Sequence, residues 1–298
     1  MAPSPVSPRP DVAAAGLSQS PKDDGLFGPD SVTWRLHSSP APMIAPAAAV
    51  LVQMLLPRVI WMIDQSSSVY EHPEERARLT SEYGASTIYG DIETAERAGA
   101  TLRNIHRHHV AVDQQTGESY SADEPDLLLW VHSTIPWAVL RASRRWGPNL
   151  SAAEEDTYVK EQREAARLVG IEPESAPGSV AELDAYMASM RPKLAFTAPA
   201  GRLLDMMLPH RVTFTAPGIM KWLAGRMIVD LLTPDQRRLY GIKWTRLDHM
   251  IASAGSRVIL PLITSKLPYT QHLSELRSDA LSHAFGGKVR QARQVTPA

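Results

Sequence analysis

One imidazole in this chain stands where a metal could use it. His132 sits in the run Leu127-Leu-Leu-Trp-Val-His132-Ser-Thr-Ile-Pro136, an apolar stretch with helical character. Burial disfavours a charged imidazole, so His132 is expected to be neutral, the form that binds metals. Pro136 lies four residues on and has no N–H. The His132 carbonyl therefore loses its helical partner, and a kink with room beside the ring is expected. The plainer alternative is a core histidine hydrogen-bonded to a neighbour. Arg76 and Thr80, at i and i+4, share one helical face. A guanidinium beside a hydroxyl suits an anion or a carbonyl oxygen, and the plainer alternative is an exposed ion pair with Glu75 or Glu82.

Other groups carry weaker signals. His106-Arg107-His108-His109 places two imidazoles at i and i+3, a chelating spacing, although so polar a run is more often a solvated helix face. Arg141, Arg144 and Arg145 end the His132 segment. They either complement the helix dipole or pair with carboxylates. Asp64, after Trp61-Met-Ile, is an acid–base candidate or a helix cap. Several chemistries are missing. The chain has no cysteine, which removes disulfides, zinc thiolates, iron–sulfur clusters and thiolate-ligated haem. No Glu-x-x-His precedes any of the ten histidines, which argues against a ferritin-like di-iron site. Walker loops, His-Glu-x-x-His and G-x-S-x-G are absent as well.

The elements that must hold these side chains read as helices. Asp30-Ser31 caps a segment from Val32. Residues 47–63 are apolar on nearly every side, which predicts an interior helix broken or kinked at Pro57. His72-Pro73-Glu74-Glu75 opens the helix that carries Arg76, Leu79, Thr80 and Tyr83. Gly90-Asp91 separates it from a helix over about 92–109, and Gln115-Thr116-Gly117 marks a turn. The His132 helix spans about 127–146 and stops at Gly147-Pro148. Ser151 with Glu154, and Ser179 with Glu182, have the spacing of capping boxes. Residues 202–207, 218–232 and 233–240 complete the pattern. Alternating period-two runs are nearly absent. The expectation is an all-α, single-domain bundle of about ten helices.

The 298 residues carry 31 basic and 32 acidic side chains, a formal charge of −1, so charge favours neither nucleic acid nor an anionic membrane. Residues 1–25, rich in Pro, Ala and Ser, read as a disordered arm without signal-peptide character. A folded domain is expected over 26–285 and a flexible tail over 286–298. The uncharged stretch 38–57 is interrupted by Pro40, Pro42 and Pro46 and is too short to span a bilayer. A cytoplasmic location follows as the expectation, and oligomeric state is left open.

The residues also resemble a known family. In order, they are Gly28-Pro-Asp-Ser-Val-Thr-Trp-Arg35, Arg76-x-x-x-Thr80, Thr87-Ile-Tyr-Gly-Asp91, His106, and Thr116-Gly-x-x-Tyr120-x-Ala-Asp-x-Pro-Asp-Leu-Leu-Leu-Trp-Val-His132. Together they are similar to the DUF2236 group, related to MpaB-like oxygenases and latex-clearing proteins (rubber oxygenases), over about residues 26–269. The resemblance implies an all-helical fold enclosing one b-type haem, with His132 as the axial iron ligand. Arg76 and Thr80 would then lie on the distal side, where dioxygen binds. Leu79 stands where the rubber oxygenases have lysine, so a lysine-capped iron is not implied. Leu56 precedes Pro57 where many relatives have histidine. The reaction implied is oxygenation of a small, fairly apolar organic molecule, with Arg141, Arg144 and Arg145 available to haem propionates. Polyisoprene is not the expected substrate. The alternatives are a haem-dependent isomerase or dehydratase that uses no dioxygen, a haem carrier or sensor, and a haem-free helical binding protein in which His132 is only core.

Overall fold

The computed structural model describes residues 23–66, 69–209 and 211–266. Most of the expected amino-terminal arm and all of the expected tail lie outside the described residues. Among these, twelve α-helices follow one another, with a single small sheet. The all-α expectation holds at this level.

The first helix, α1 (Val32–His37), is capped as its sequence predicts: the Ser31 side chain accepts a hydrogen bond from the Trp34 N–H. A 3-10 turn (Ala41–Ile44) leads into α2 (Ala45–Gln53), and α3 (Pro57–Ser66) follows. Pro57 starts a new helix, and the segments on either side of the break are bent by 100°. That pair, Ala41–Gln53 with Pro57–Gln65, meets the length and apolarity of a broken membrane span, but no single described helix does. Ala45, Leu51, Met54, Leu55 and Ile60 in this stretch are all at 0% exposure, the centre of the main core.

A helical hairpin comes next. Helix α4 (Pro73–Tyr89) begins with Pro at its first position and Glu74 and Glu75 in its first turn, where they complement the dipole. Gly90 ends it. The Asp91 side chain then caps α5 (Ile92–His108) by accepting from the Thr94 N–H at 2.8 Å. The two antiparallel strands β1 (Val110–Val112) and β2 (Ser119–Ser121) flank the predicted turn. At three residues each they are too short to register as alternation.

Helix α6 (Pro125–Trp146) is the axis of the molecule and packs on α2, α7 (Ala152–Leu168), α8 (Val180–Met190) and α10 (Ala216–Leu231). It runs through Pro136 as one helix. The expected kink does not break it. The capping box at α7 is reciprocal. At α8 the Ser179 side chain caps Glu182 N–H, but the Glu182 carboxylate reaches the Gly178 N–H instead of that of Ser179. Helices α9 (Ala198–Met207), α11 (Pro234–Leu239) and α12 (Arg246–Lys266) complete the fold, with α12 lying along α10.

Candidate functional site

The α4–α5 hairpin is closed at its turn and open at the other end. Ala85, Ser86, Thr87 and Tyr89 of α4 are buried, whereas residues 71–80 are exposed on every face. Helical periodicity puts Arg76, Thr80, Tyr83 and Thr87 in one row. Across the hairpin, Arg103 acts electrostatically on Tyr83, and Arg76 acts on His106. The row therefore faces α5. Arg103 also donates from Nη1 to the Leu168 carbonyl at 2.5 Å, which fastens α5 to α7.

His106 is the distinctive group at the open end. Its Nδ1 is buried and has no hydrogen-bond partner. Burial holds its pKa below the ordinary imidazole value, the positive fields of Arg76 and His109 push the same way, and Asp123 opposes them. Its neighbours differ: His108 Nδ1 donates to the Asn104 carbonyl at 2.7 Å, and His109 Nδ1 to the Ile105 carbonyl at 3.2 Å. A neutral imidazole with one unclaimed, buried nitrogen is ready to ligate a metal or to exchange a proton with a bound molecule.

His132 lies elsewhere, on the side of α6 that meets α7. Burial lowers its pKa to about 4, opposed by the Gln162 backbone. A backbone carbonyl near a ring of this kind commonly orients a metal-binding imidazole. The Gln162 side chain donates to Thr33 Oγ1 at 2.9 Å, and Glu161 accepts from Thr33 N–H and Oγ1 at 2.8 and 2.7 Å. These bonds tie α7 to the start of α1. Arg76 contributes to the field at His106 but is not among the influences on His132. Arg76 thus acts on His106 across the hairpin, and helical spacing puts Thr80 and Tyr83 in the same row of α4.

The remaining candidates are committed to other contacts. Asp64 accepts both oxygens' worth of bonding from Arg202 at 2.6 and 2.8 Å and a hydrogen bond from Tyr70 at 2.9 Å, linking α3 to α9. Arg141 donates to the Leu231 carbonyl and lies 4.9 Å over the Trp137 ring. Arg144 grips Glu155 through two bonds at 2.7 and 2.6 Å, and Arg145 pairs with buried Asp230 at 2.8 Å. The carboxylate-pairing expectation for this trio is met inside the protein for Arg144 and Arg145.

A family model described as "ER-bound oxygenase mpaB/B'/Rubber oxygenase, catalytic domain" matches residues 34–260. The chain belongs to this oxygenase family. The match runs from Trp34 in α1 to Leu260 in α12, so the hairpin, both imidazoles and the α6 axis all lie inside the oxygenase domain. An uncharacterized protein of Mycobacterium tuberculosis is 28% identical over 214 residues, covering 68% of this chain and 82% of its own length. An uncharacterized protein of Mycobacterium bovis matches with the same identity and coverage. No solved structure matches at a significant level.

Sequence reasoning understated Tyr83 and Arg103. The signal for Tyr83 was present, because it continues the i, i+4, i+7 row begun by Arg76 and Thr80. Which helix that row faces could not be read from spacing.

Proposed function

We propose that this oxygenase-family chain works with one b-type haem and dioxygen on a small, fairly apolar organic molecule, at the open end of the α4–α5 hairpin. The observation that carries the reading is His106: a half-buried imidazole with a buried, unpartnered Nδ1, within the field of the Arg76 guanidinium. Among the described residues no three His, Cys, Asp or Glu side chains converge on a metal ion. A porphyrin supplies four iron ligands itself, so one imidazole suffices and the donor set fits haem. Bound haem would supply the electron transfer and dioxygen chemistry that the side chains of a cysteine-free chain lack.

Two imidazoles compete to hold the iron. His132 is the residue to which the resemblance assigns it, and its neutral ring, beside the Gln162 backbone, supports that assignment. A specific observation favours His106 as the alternative: its orphan nitrogen shares one seam with Arg76 and Thr80. With the iron at His106, Arg76 would supply charge-assisted donation to a substrate oxygen, with Thr80 one turn further along. Thr80 Oγ1 already donates to the Arg76 carbonyl at 2.9 Å, so the hydroxyl is left to accept. Half-buried Tyr83, its phenol pushed up to about 12 by burial, stays protonated and closes the floor of the seam against water. Asp64 in this reading is a tether between α3 and α9.

Absorption spectra of haem-supplied protein, before and after dithionite, test the proposal. The wild type should show a Soret band that shifts on reduction. Loss of that band in His106→Ala with retention in His132→Ala assigns the iron to His106, and the reverse assigns it to His132. A wild type without a Soret band overturns the cofactor reading and leaves a helical binding protein. Turnover without oxygen uptake would instead identify an isomerase or dehydratase.

A further inference from the structure

A second polar site lies at the opposite end of α6. The helix has 22 residues, so its last turn stands about 30 Å from the Asp123 end where His106 sits. There a hollow of about 300 Å³ is lined by Arg145, His249, Met250, Ser253, Ala254 and Arg257. His249, Ser253 and Arg257 are spaced four apart on α12 and so share a face.

Beneath the hollow is Asp230 of α10, whose side chain is 1% exposed. One oxygen accepts from Arg145 Nε at 2.8 Å; the other pairs with His249 Nδ1 and accepts from Trp244 Nε1 at 3.1 Å. The buried carboxylate therefore fixes one guanidinium and one imidazole at once. Arg145 Nη2 is used as well, by Ser253 Oγ at 2.5 Å and the His249 carbonyl at 3.2 Å. A guanidinium has five N–H donors, and the Nη1 pair has no partner among the described residues. His249 keeps Nε2 uncommitted, and its side chain is 45% exposed. Arg257 is exposed and makes no ion pair among the described residues.

We propose that this hollow binds the phosphate group of a phosphorylated small molecule. Asp230 cancels one charge, and Arg145 with Arg257 supply two. The site is therefore net cationic before His249 is counted. Two guanidinium groups, those of Arg145 and Arg257, border the space. A phosphate dianion brings two charges and three free oxygens to the two guanidinium groups, whereas a carboxylate brings one charge and two oxygens. Met250 and Ala254 provide an apolar wall for the rest of the ligand. Because Asp230 holds the Arg145 guanidinium in place beforehand, little ordering of that group is required when the anion arrives. The site is independent of the haem reading, since neither imidazole of that reading touches it.

The test is calorimetric titration of the full chain with inorganic phosphate at constant ionic strength. The wild type should show one saturable site, weakened at least about tenfold by Arg257→Ala, as expected for loss of one charge-assisted contact. Arg257 is exposed, so the substitution leaves the fold intact. Arg238→Ala, which removes an exposed arginine on α11 outside the hollow, should bind as the wild type does. Acetate should bind at least about tenfold more weakly than phosphate, because it brings one charge and two oxygens to the two guanidinium groups. Absence of saturable binding, equal affinity in Arg257→Ala, or acetate binding as tightly as phosphate would each overturn the proposal.

Discussion

Two neutral imidazoles in the interior give the protein a pH signature. Burial lowers both His37 and His132 from the ordinary 6.5 to about 4. Between these values the unfolded chain takes up protons that the fold refuses. Stability should therefore be flat above about pH 6.5 and fall as the pH drops towards 4, by about 1.4 kcal/mol per pH unit for each ring. Urea unfolding of haem-free protein across this window measures the slope, and His37→Gln should roughly halve it; a flat profile would contradict the burial argument. At the other end of α6, Asp230→Ala should cost about 3 kcal/mol, because it leaves Arg145 and Trp244 Nε1 without their buried partner. Thermal unfolding reads that loss directly. Residue type and spacing predicted that His132 would be neutral and that Arg76 and Thr80 would share a face. They could not reveal the partner across the seam. Helical spacing orders side chains around their own axis, and the pairing of Arg76 with His106 arises only when the chain turns at Gly90 and α5 returns.

At the scale of elements, two glycines in the hairpin should respond in opposite senses. A Cβ on Gly99 would stand 2.8 Å from the Leu168 carbonyl oxygen and 3.1 Å from its Cβ. Gly99→Ala should thus push α5 from α7 and cost about 1–3 kcal/mol. Gly84, inside α4, has nothing within 4 Å of such a Cβ, and Gly84→Ala should stabilise by up to about 1 kcal/mol through helix propensity. Denaturant midpoints of the two variants decide both. The break at Pro57, the Ser31 cap and the α7 capping box were legible because each is set by a few adjacent residues. Helix α12 was not. Leu247 and Met250 on it are 63% and 66% exposed, so its apolar residues do not gather on one side and no clean stripe marks it.

For the whole molecule, α6 acts as a spine with different work at each end. The Asp123 end meets the hairpin and the candidate cofactor site. The Trp146 end meets α10 and α12 and the cationic hollow. The apolar run of 47–63 was recognisable as interior, and the surrounding core bears this out. The two-ended arrangement was not recognisable, because Asp230 and His249 carry no motif and meet Arg145 only through tertiary packing. One consequence concerns proteolysis. Residues 71 to 80 are exposed, so few buried contacts hold that stretch closed. It contains two tryptic positions, Arg76 and Arg78. Trypsin should nick the haem-free chain there early and leave the buried half of α4 intact. If the seam beside His106 is where haem sits, loading the cofactor should slow that cut selectively, and a fragment pattern on a gel would report occupancy without any knowledge of the substrate.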